Sequence, residues 1–113
     1  MSGLSTHVLD TARGRPAGGL AVRLEVQQGA EWRELARAAT DPDGRVARLL
    51  PEGTALADAT YRLTFDTGGY FAAAGVAGFY PHVTVVFVVR DPAQHHHVPL
   101  LLAPFGYSTY RGS

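Results

Sequence analysis

Short segments in which apolar and polar residues alternate are the feature that most constrains the fold of this chain. The segment Val22–Gln27 alternates Val, Leu and Val with Arg, Glu and Gln, and Tyr61–Asp66 repeats the pattern. Because successive side chains of a strand point to opposite faces, this period of two predicts β-strands with one buried and one wetted face. Turn-forming residues recur about every eight to twelve positions, which favours an antiparallel sandwich or barrel of about eight short strands.

Two other segments are apolar on both faces. His82–Val89 is β-branched almost throughout, and Val98–Leu102 has the same character. A strand of this kind is covered on both sides. For His82–Val89 we expect the core on one side and another subunit on the other.

The turns and one short helix complete the predicted order of elements. Gln28–Ala30 predicts a hairpin connection, and Asp41–Gly44 is a strong turn because Pro presets φ and Gly accepts positive φ. Ala103–Gly106 joins the last two predicted strands. The helix is predicted over Gly69–Ala74, ended by Gly75.

The composition excludes several kinds of chemistry. The 113 residues contain no cysteine, and all ten basic residues are arginine. Thiol nucleophiles, zinc–thiolate sites and lysine Schiff bases are therefore excluded. The zero net charge gives no general attraction to nucleic acid, and no segment has the length of a membrane span. We expect one domain over residues 1–113, and a cytoplasmic location because no secretory signal is found.

Two separate residues in the first half of the chain are candidates for a site. In a strand over Leu4–Asp10, His7 shares one face with Ser5. Arg45 directly follows a turn, where a guanidinium can grip a planar, oxygen-rich ligand. Each also has an ordinary explanation, His7 as a surface histidine of an edge strand and Arg45 as an exposed residue at a strand start. The sequence pattern leaves both explanations open.

A run of three histidines is the third candidate. In a strand, His95 and His97 point to one face and His96 to the other. Two histidines at alternate positions can bind a metal, but a metal site needs a third or fourth ligand. The remaining imidazoles are only those of His7 and His82. The pattern therefore disfavours a metal site, and it does not say which of the three histidines would exchange protons.

The tail Tyr110–Ser113 is the fourth candidate. Ser113 offers a hydroxyl and a terminal carboxylate. The sequence has no Gly-x-Ser-x-Gly motif, so Ser113 is not expected to be an activated nucleophile. It also has no phosphate-binding loop and no dinucleotide fingerprint. An aromatic, arginine-bearing tail after a dense apolar run predicts an ordered end that lies in a site or an interface.

Four segments form one ordered pattern along nearly the whole chain. They are Leu4–Asp10 (LSTHVLD), Asp43–Arg45 (DGR), His97–Leu102 (HVPLLL) and Tyr110–Ser113 (YRGS). This pattern resembles the 5-hydroxyisourate hydrolases, the transthyretin-related enzymes of purine breakdown. The terminal tetrapeptide is its most specific part.

The resemblance implies an all-β, transthyretin-like (prealbumin-like) antiparallel β-sandwich of two four-stranded sheets with one short helix. It also implies a homotetramer, built as a dimer of dimers. The sites would lie in a channel where the dimers meet, lined by the first strand, the Arg45 region and the last two strands.

The implied reaction is the hydrolysis of 5-hydroxyisourate to 2-oxo-4-hydroxy-4-carboxy-5-ureidoimidazoline, in which water attacks a ring carbonyl and a C–N bond breaks. The resemblance implies no metal and no organic cofactor. One of His7 and His97 would be the general base and the other a proton or hydrogen-bond donor, while Arg45 stabilises the developing charge. Neutral imidazole is then needed, so activity should fall below about pH 6. The implied catalytic residues are His7, Arg45, His97 and Ser113, and the implied substrate contacts are His7, Arg45, Tyr110, Arg111, Gly112 and Ser113.

The main alternative is a non-enzymatic carrier of a small aromatic ligand on the same fold. Fold alone does not decide between carrier and enzyme, because function lies in the site. The carrier lacks the Tyr110–Ser113 tetrapeptide and uses lysine in its channel, whereas this chain has no lysine. A third alternative is a sandwich protein that binds metal through imidazole.

Overall fold

The computed structural model describes residues 3–113. Within this range the chain forms nine strands and one short helix. The strands are β1 (Gly3–Asp10), β2 (Arg15–Pro16), β3 (Ala21–Gln28), β4 (Glu31–Ala39), β5 (Arg45–Val46), β6 (Ala59–Phe65), β7 (Val83–Val89), β8 (His95–Ala103) and β9 (Gly106–Thr109), and helix α1 (Thr67–Ala73) lies between β6 and β7.

The strands form two sheets, which confirms the expected all-β sandwich with one short helix. The first sheet has the order β2-β1-β8-β9 with β5 also paired to β1, and the second has the order β4-β3-β6-β7. The two-residue strands β2 and β5 raise the first sheet to five strands. One pair is parallel rather than antiparallel, that of β1 with β8. Parallel partners need a long crossover connection, and β1 and β8 lie at opposite ends of the chain.

The apolar faces of the alternating strands make the core. On β6, Tyr61, Leu63 and Phe65 are at most 1 % exposed. Burying each such side chain contributes about 1.5–3 kcal/mol. On β7, by contrast, Val86 remains 55 % exposed and Val88 47 %. This is the face on which another subunit is expected, so its coverage by a second copy stays a prediction.

Helix α1 begins two residues before its predicted start. The Asp66 carboxylate accepts a hydrogen bond from the Gly69 backbone N–H at 3.0 Å, which caps the first turn. The Tyr70 hydroxyl donates to the buried Asp10 carboxylate at 2.8 Å and so ties the helix to the end of β1. Across residues 3–113, no helix has the length and apolarity needed to cross a membrane.

Candidate active site

Strand β1 brings together residues that are far apart in the sequence. Its parallel register with β8 places Ser5 opposite His97, and its antiparallel register with β5 places His7 opposite Arg45. Residues two apart on a strand share a face. The pairing therefore puts an imidazole from β8 and a guanidinium from β5 on the same side of the first sheet.

The turn before β5 fixes the position of Arg45. The Asp41 carboxylate accepts hydrogen bonds from the backbone N–H groups of Asp43 and Arg45, each at 2.9 Å. Gly44 has φ +76°, and a Cβ there would overlap the backbone oxygen of Val8. The Val8 N–H donates to the Gly44 oxygen at 2.7 Å, which holds the turn against β1. Glycine is needed here both for the left-handed conformation and for the close approach.

The C-terminal tail folds back over His97. The Gly112 N–H donates to the His97 carbonyl oxygen at 2.8 Å and forms an isolated antiparallel bridge. A Cβ built on Gly112 would lie only 2.5 Å from Cδ2 of the His97 ring. The absence of a side chain at Gly112 therefore lets the tail lie against the imidazole. Ser113, the next residue, reaches the same cavity as that ring.

The cavity at this place has a volume of about 300 Å³. Its wall includes a guanidinium, two imidazoles and two serine hydroxyls. Three of the four predicted catalytic residues lie in its wall, which is formed by Ser5, Thr6, Arg45, Ala47, His95, His97 and Ser113.

His97 is held in its neutral form. Burial lowers the pKa of His97 below its usual value of 6.5, and the charge of Arg45 acts in the same direction, followed by His7 and His95. A hydrogen bond with the backbone of Ser5 opposes this lowering of the His97 pKa. The Ser5 hydroxyl lies 2.8 Å from Nδ1 of His97. Nε2 is then the ring nitrogen that Ser5 leaves free for chemistry in the cavity.

His7 stands beside Arg45 with one ring nitrogen already engaged. Its Nε2 lies 2.9 Å from the backbone oxygen of Asp43. A carbonyl oxygen can only accept, so Nε2 carries the proton and donates it. In a neutral His7 ring this leaves Nδ1 unprotonated.

Tyr110 and Arg111 lie away from this cavity. They border a second depression of about 260 Å³. Arg111 donates from Nη2 to Oε1 of Gln94 at 3.0 Å. A direct contact of either side chain with substrate stays a prediction, while the hydrogen bond of Arg111 to Gln94 links the tail to the residue before β8. The other residues of that depression are Val85, Val86, Phe87, Val88, His96, Val98 and Thr109.

Ser5 and His95 are two of the four cavity residues that were absent from the predicted site, together with Thr6 and Ala47. The Ser5 hydroxyl is 2.7 Å from Nε2 of His95 and 2.8 Å from Nδ1 of His97. The alternation along β1 already put Ser5 on the face of His7, and that of β8 put His95 on the face of His97. Only the parallel register of β1 with β8 shows that the two faces coincide.

The histidines do not assemble a metal site in the described range. Among residues 3–113, no group of three or more His, Asp or Glu side chains is placed to hold a metal ion. His96 is 5 % exposed and points away from the cavity, with Nδ1 at 3.0 Å from the backbone oxygen of Gln94. The predicted separation of His96 from its two neighbours is therefore confirmed.

A larger depression, about 500 Å³, lies on the outer face of the second sheet. Two of its arginines are paired: Arg62 donates to Glu25 at 2.8 Å, and Arg37 is 2.9 Å from Glu34. The hydrogen bond from Arg62 is the main cause that lowers the pKa of Glu25. The third arginine, Arg23, lies 3.5 Å from the same Glu25, so all three guanidiniums are near carboxylates of their own sheet. Volume alone does not make this depression a site.

The two sheets, the short helix and the cavity beside His97 define a transthyretin-like protein. The solved structure of Klebsiella pneumoniae 5-hydroxyisourate hydrolase matches with a TM-score of 0.87 and 39 % identity, over 99 % of this chain and 100 % of that one. Sea bream transthyretin, solved in complex with thyroxine, matches with a TM-score of 0.89 and 32 % identity, over 96 % of this chain and 93 % of that one.

The sequence comparisons identify the family of the chain. The model of the HIUase/Transthyretin family matches residues 4–112, and the chain belongs to that family. A 5-hydroxyisourate hydrolase of Caulobacter vibrioides is 49 % identical over the full length of both chains. The 5-hydroxyisourate hydrolase of Mus musculus is 47 % identical, over 99 % of this chain and 96 % of the relative. The resemblance seen in the four sequence segments is thereby confirmed.

Proposed function

We propose that this chain is a 5-hydroxyisourate hydrolase, which opens the ring of 5-hydroxyisourate to give 2-oxo-4-hydroxy-4-carboxy-5-ureidoimidazoline. The two hydrolases from Caulobacter vibrioides and Mus musculus are 49 % and 47 % identical to it over nearly their whole length. The observation that carries the proposal is the single cavity that Arg45, His97 and Ser113 share. In this proposal residues 1–113 act as one domain.

His97 is the better candidate for the general base. Its pKa is lowered by burial, so the ring is neutral and able to take a proton near pH 7. Its Nδ1 is engaged by Ser5, and Nε2 would take the proton as water attacks the ring carbonyl. The protonated ring then returns that proton to the nitrogen that leaves when the C–N bond breaks. Water and the opened ring account for all atoms of the product.

Arg45 would stabilise the charge that develops on the attacked carbonyl oxygen. The hydrogen bonds at the turn place the Arg45 backbone before substrate arrives, so little reorganisation is needed. Because Nε2 of His7 donates to Asp43, the unprotonated Nδ1 of a neutral His7 ring would accept a hydrogen bond from a substrate N–H. Ser113 would orient the water or the substrate. None of these steps uses a metal or an organic cofactor.

The carrier alternative is less well supported. Sea bream transthyretin is a 32 % identical neighbour, below the identity of the hydrolases named above. A cavity bordered by Arg45 and His97 also suits a polar, oxygen-rich heterocycle better than a largely apolar ligand.

We further propose that the active form is a homotetramer, a dimer of dimers. Three exposed side chains support it: Val86 and Val88 on β7 border one depression together with Tyr110 of the tail. Light scattering coupled to size-exclusion chromatography should give four times the 12.1 kDa chain mass. A monomer would contradict the assembly. A cytoplasmic location stays a prediction for cell fractionation.

The activity is tested by generating 5-hydroxyisourate from urate with urate oxidase and following its ultraviolet absorbance. We expect the wild-type protein to accelerate the decay well beyond the spontaneous rate, and a chelator to change nothing. Decay at the spontaneous rate would overturn the proposed function. Loss of activity with the chelator would instead favour the metal-binding alternative.

A further inference from the structure

A buried serine hydroxyl joins two imidazoles at the wall of the cavity. Ser5 is 8 % exposed, and its oxygen lies 2.7 Å from Nε2 of His95 and 2.8 Å from Nδ1 of His97. Both distances are those of good hydrogen bonds. Ser5 lies on β1 and both histidines on β8, so the register of this parallel pair creates the contact.

The number of protons in this trio limits its arrangements. A hydroxyl has one proton to donate and two lone pairs to accept. At most one of the two rings can therefore accept from Ser5, and the other must donate to it. If both rings donated, the buried hydroxyl proton would be left without either of these partners, which costs free energy.

The two arrangements have opposite consequences for His97. If Ser5 donates to Nδ1, the neutral ring carries its proton on Nε2 and has no lone pair to offer there. If Nδ1 donates to Ser5, Nε2 is unprotonated. Only the second arrangement allows His97 to take a proton from water through Nε2.

We propose that Ser5 is a positioning residue that accepts the Nδ1–H of His97 and donates its own proton to Nε2 of His95, which leaves Nε2 of His97 unprotonated. The inference rests on the proposed function, since it concerns the base of that reaction. Ser5 acts through His97 and does not itself touch substrate. When His97 is protonated, Ser5 continues to accept from Nδ1 and so stabilises the imidazolium.

His95 has a defined part in this arrangement. It is solvent-exposed, whereas His97 is partly buried. When Nε2 of His95 accepts the hydrogen bond from the Ser5 hydroxyl, a lone pair of the Ser5 oxygen points toward Nδ1 of His97. The other groups that face His97 are Arg45 from β5 and His7 from β1, with Ser113 from the tail in the same cavity wall. None of these three has a hydrogen bond to the Nδ1 edge that Ser5 occupies.

Three variants test the kinetic consequence. Ser5→Ala removes the hydroxyl, and we expect kcat to fall about 10- to 100-fold with KM changed less than about threefold, since the base loses its orientation but the guanidinium stays. The acid limb of the kcat profile should move to lower pH, because the imidazolium loses an acceptor. Ser5→Thr keeps a hydroxyl and should recover most of kcat. Thr11→Ala is the matched control, because it removes a hydroxyl bonded to the Leu102 carbonyl at the other end of the β1–β8 pair. It should change neither kcat nor the pH of the acid limb.

A spectroscopic measurement tests the tautomer without using turnover. Long-range ¹H–¹⁵N correlation spectra of the ligand-free wild-type protein should show the His97 proton on Nδ1, and Ser5→Ala should shift the population toward Nε2–H. A proton on Nε2 of wild-type His97 would overturn the inference, as would full kcat and an unshifted pH profile in a folded Ser5→Ala protein. An inactive wild-type protein would overturn the proposed function, and the spectrum would then decide the tautomer by itself.

Discussion

Replacing Gly112 with alanine would place a methyl group against the ring of His97. The added Cβ lies 2.5 Å from Cδ2 and 3.3 Å from Cγ of that ring. Carbon atoms in normal contact are about 3.5–4.0 Å apart, so the ring or the tail must move by about 1 Å. The Gly112 N–H is bonded to the His97 backbone, so the two cannot separate without losing that bond.

The displacement should cost activity rather than stability. A misplacement of about 1 Å in a catalytic group costs about 100-fold in rate, equivalent to about 2.7 kcal/mol of transition-state stabilisation. If the tail moves instead, one partly buried backbone hydrogen bond of about 1 kcal/mol is lost and Ser113 leaves the cavity. In both cases we expect kcat/KM of Gly112→Ala to fall about 100-fold.

The assay is the ultraviolet decay of enzymatically generated 5-hydroxyisourate, with thermal unfolding followed in parallel. Gly106→Ala in β9 is the matched control, because a Cβ there meets nothing within 4 Å. It should keep kcat/KM within about twofold of wild type. Full activity of Gly112→Ala would refute the argument that the close approach of the tail positions the site.

Three other contacts give predictions of their own. Because burial lowers the pKa of His97, its neutral form persists below pH 6.5, and kcat/KM should fall only in more acidic buffer. An acid limb centred above about pH 7 would contradict this. Gly44→Ala combines a φ of +76° with a backbone overlap and should cost more than about 2 kcal/mol in urea unfolding, whereas Gly14→Ala, with φ +66° and open space, should cost about 1 kcal/mol. Equal losses would show that the overlap is relieved. Tyr70→Phe removes a hydrogen bond to the buried Asp10 carboxylate and should cost about 1–3 kcal/mol with kcat unchanged; an unaltered unfolding midpoint would oppose that role.

Local patterns predicted most of the strands. The alternation over Tyr61–Asp66 corresponds to β6, and the apolar segment His82–Val89 to β7. The predicted hairpin at Gln28–Ala30 joins β3 to β4. These predictions succeed because a strand with one buried face needs that alternation whatever its partners are. The start of α1 was missed because Asp66 was assigned to a strand pattern rather than to a cap.

The parallel pairing of β1 with β8 could not be predicted from local sequence patterns. Alternation shows which residues share a face of one strand but not which distant strand lies beside it. The two-residue strands β2 and β5 are also too short to show a period. Ser5 and His95 escaped notice in the site for this reason, since their contact exists only through the register of β1 with β8.

The predicted site residues fall into two groups in the structure. Arg45, His97 and Ser113 meet in one cavity, with His7 in register beside Arg45. Tyr110 and Arg111 border a different depression. Motif resemblance predicted the whole tail as part of the site, but it could not separate Ser113, which borders the cavity, from Tyr110 and Arg111, which do not.

The central claim is that His97, in the cavity shared with Arg45, is the base that hydrolyses 5-hydroxyisourate. The most direct measurement compares substrate decay in the presence of wild-type protein and of a folded His97→Gln variant at equal concentration. The account predicts rapid decay with wild type and, with the variant, a rate reduced at least about 100-fold toward the spontaneous one. Equal rates for the two proteins, or no acceleration by wild type, would contradict it.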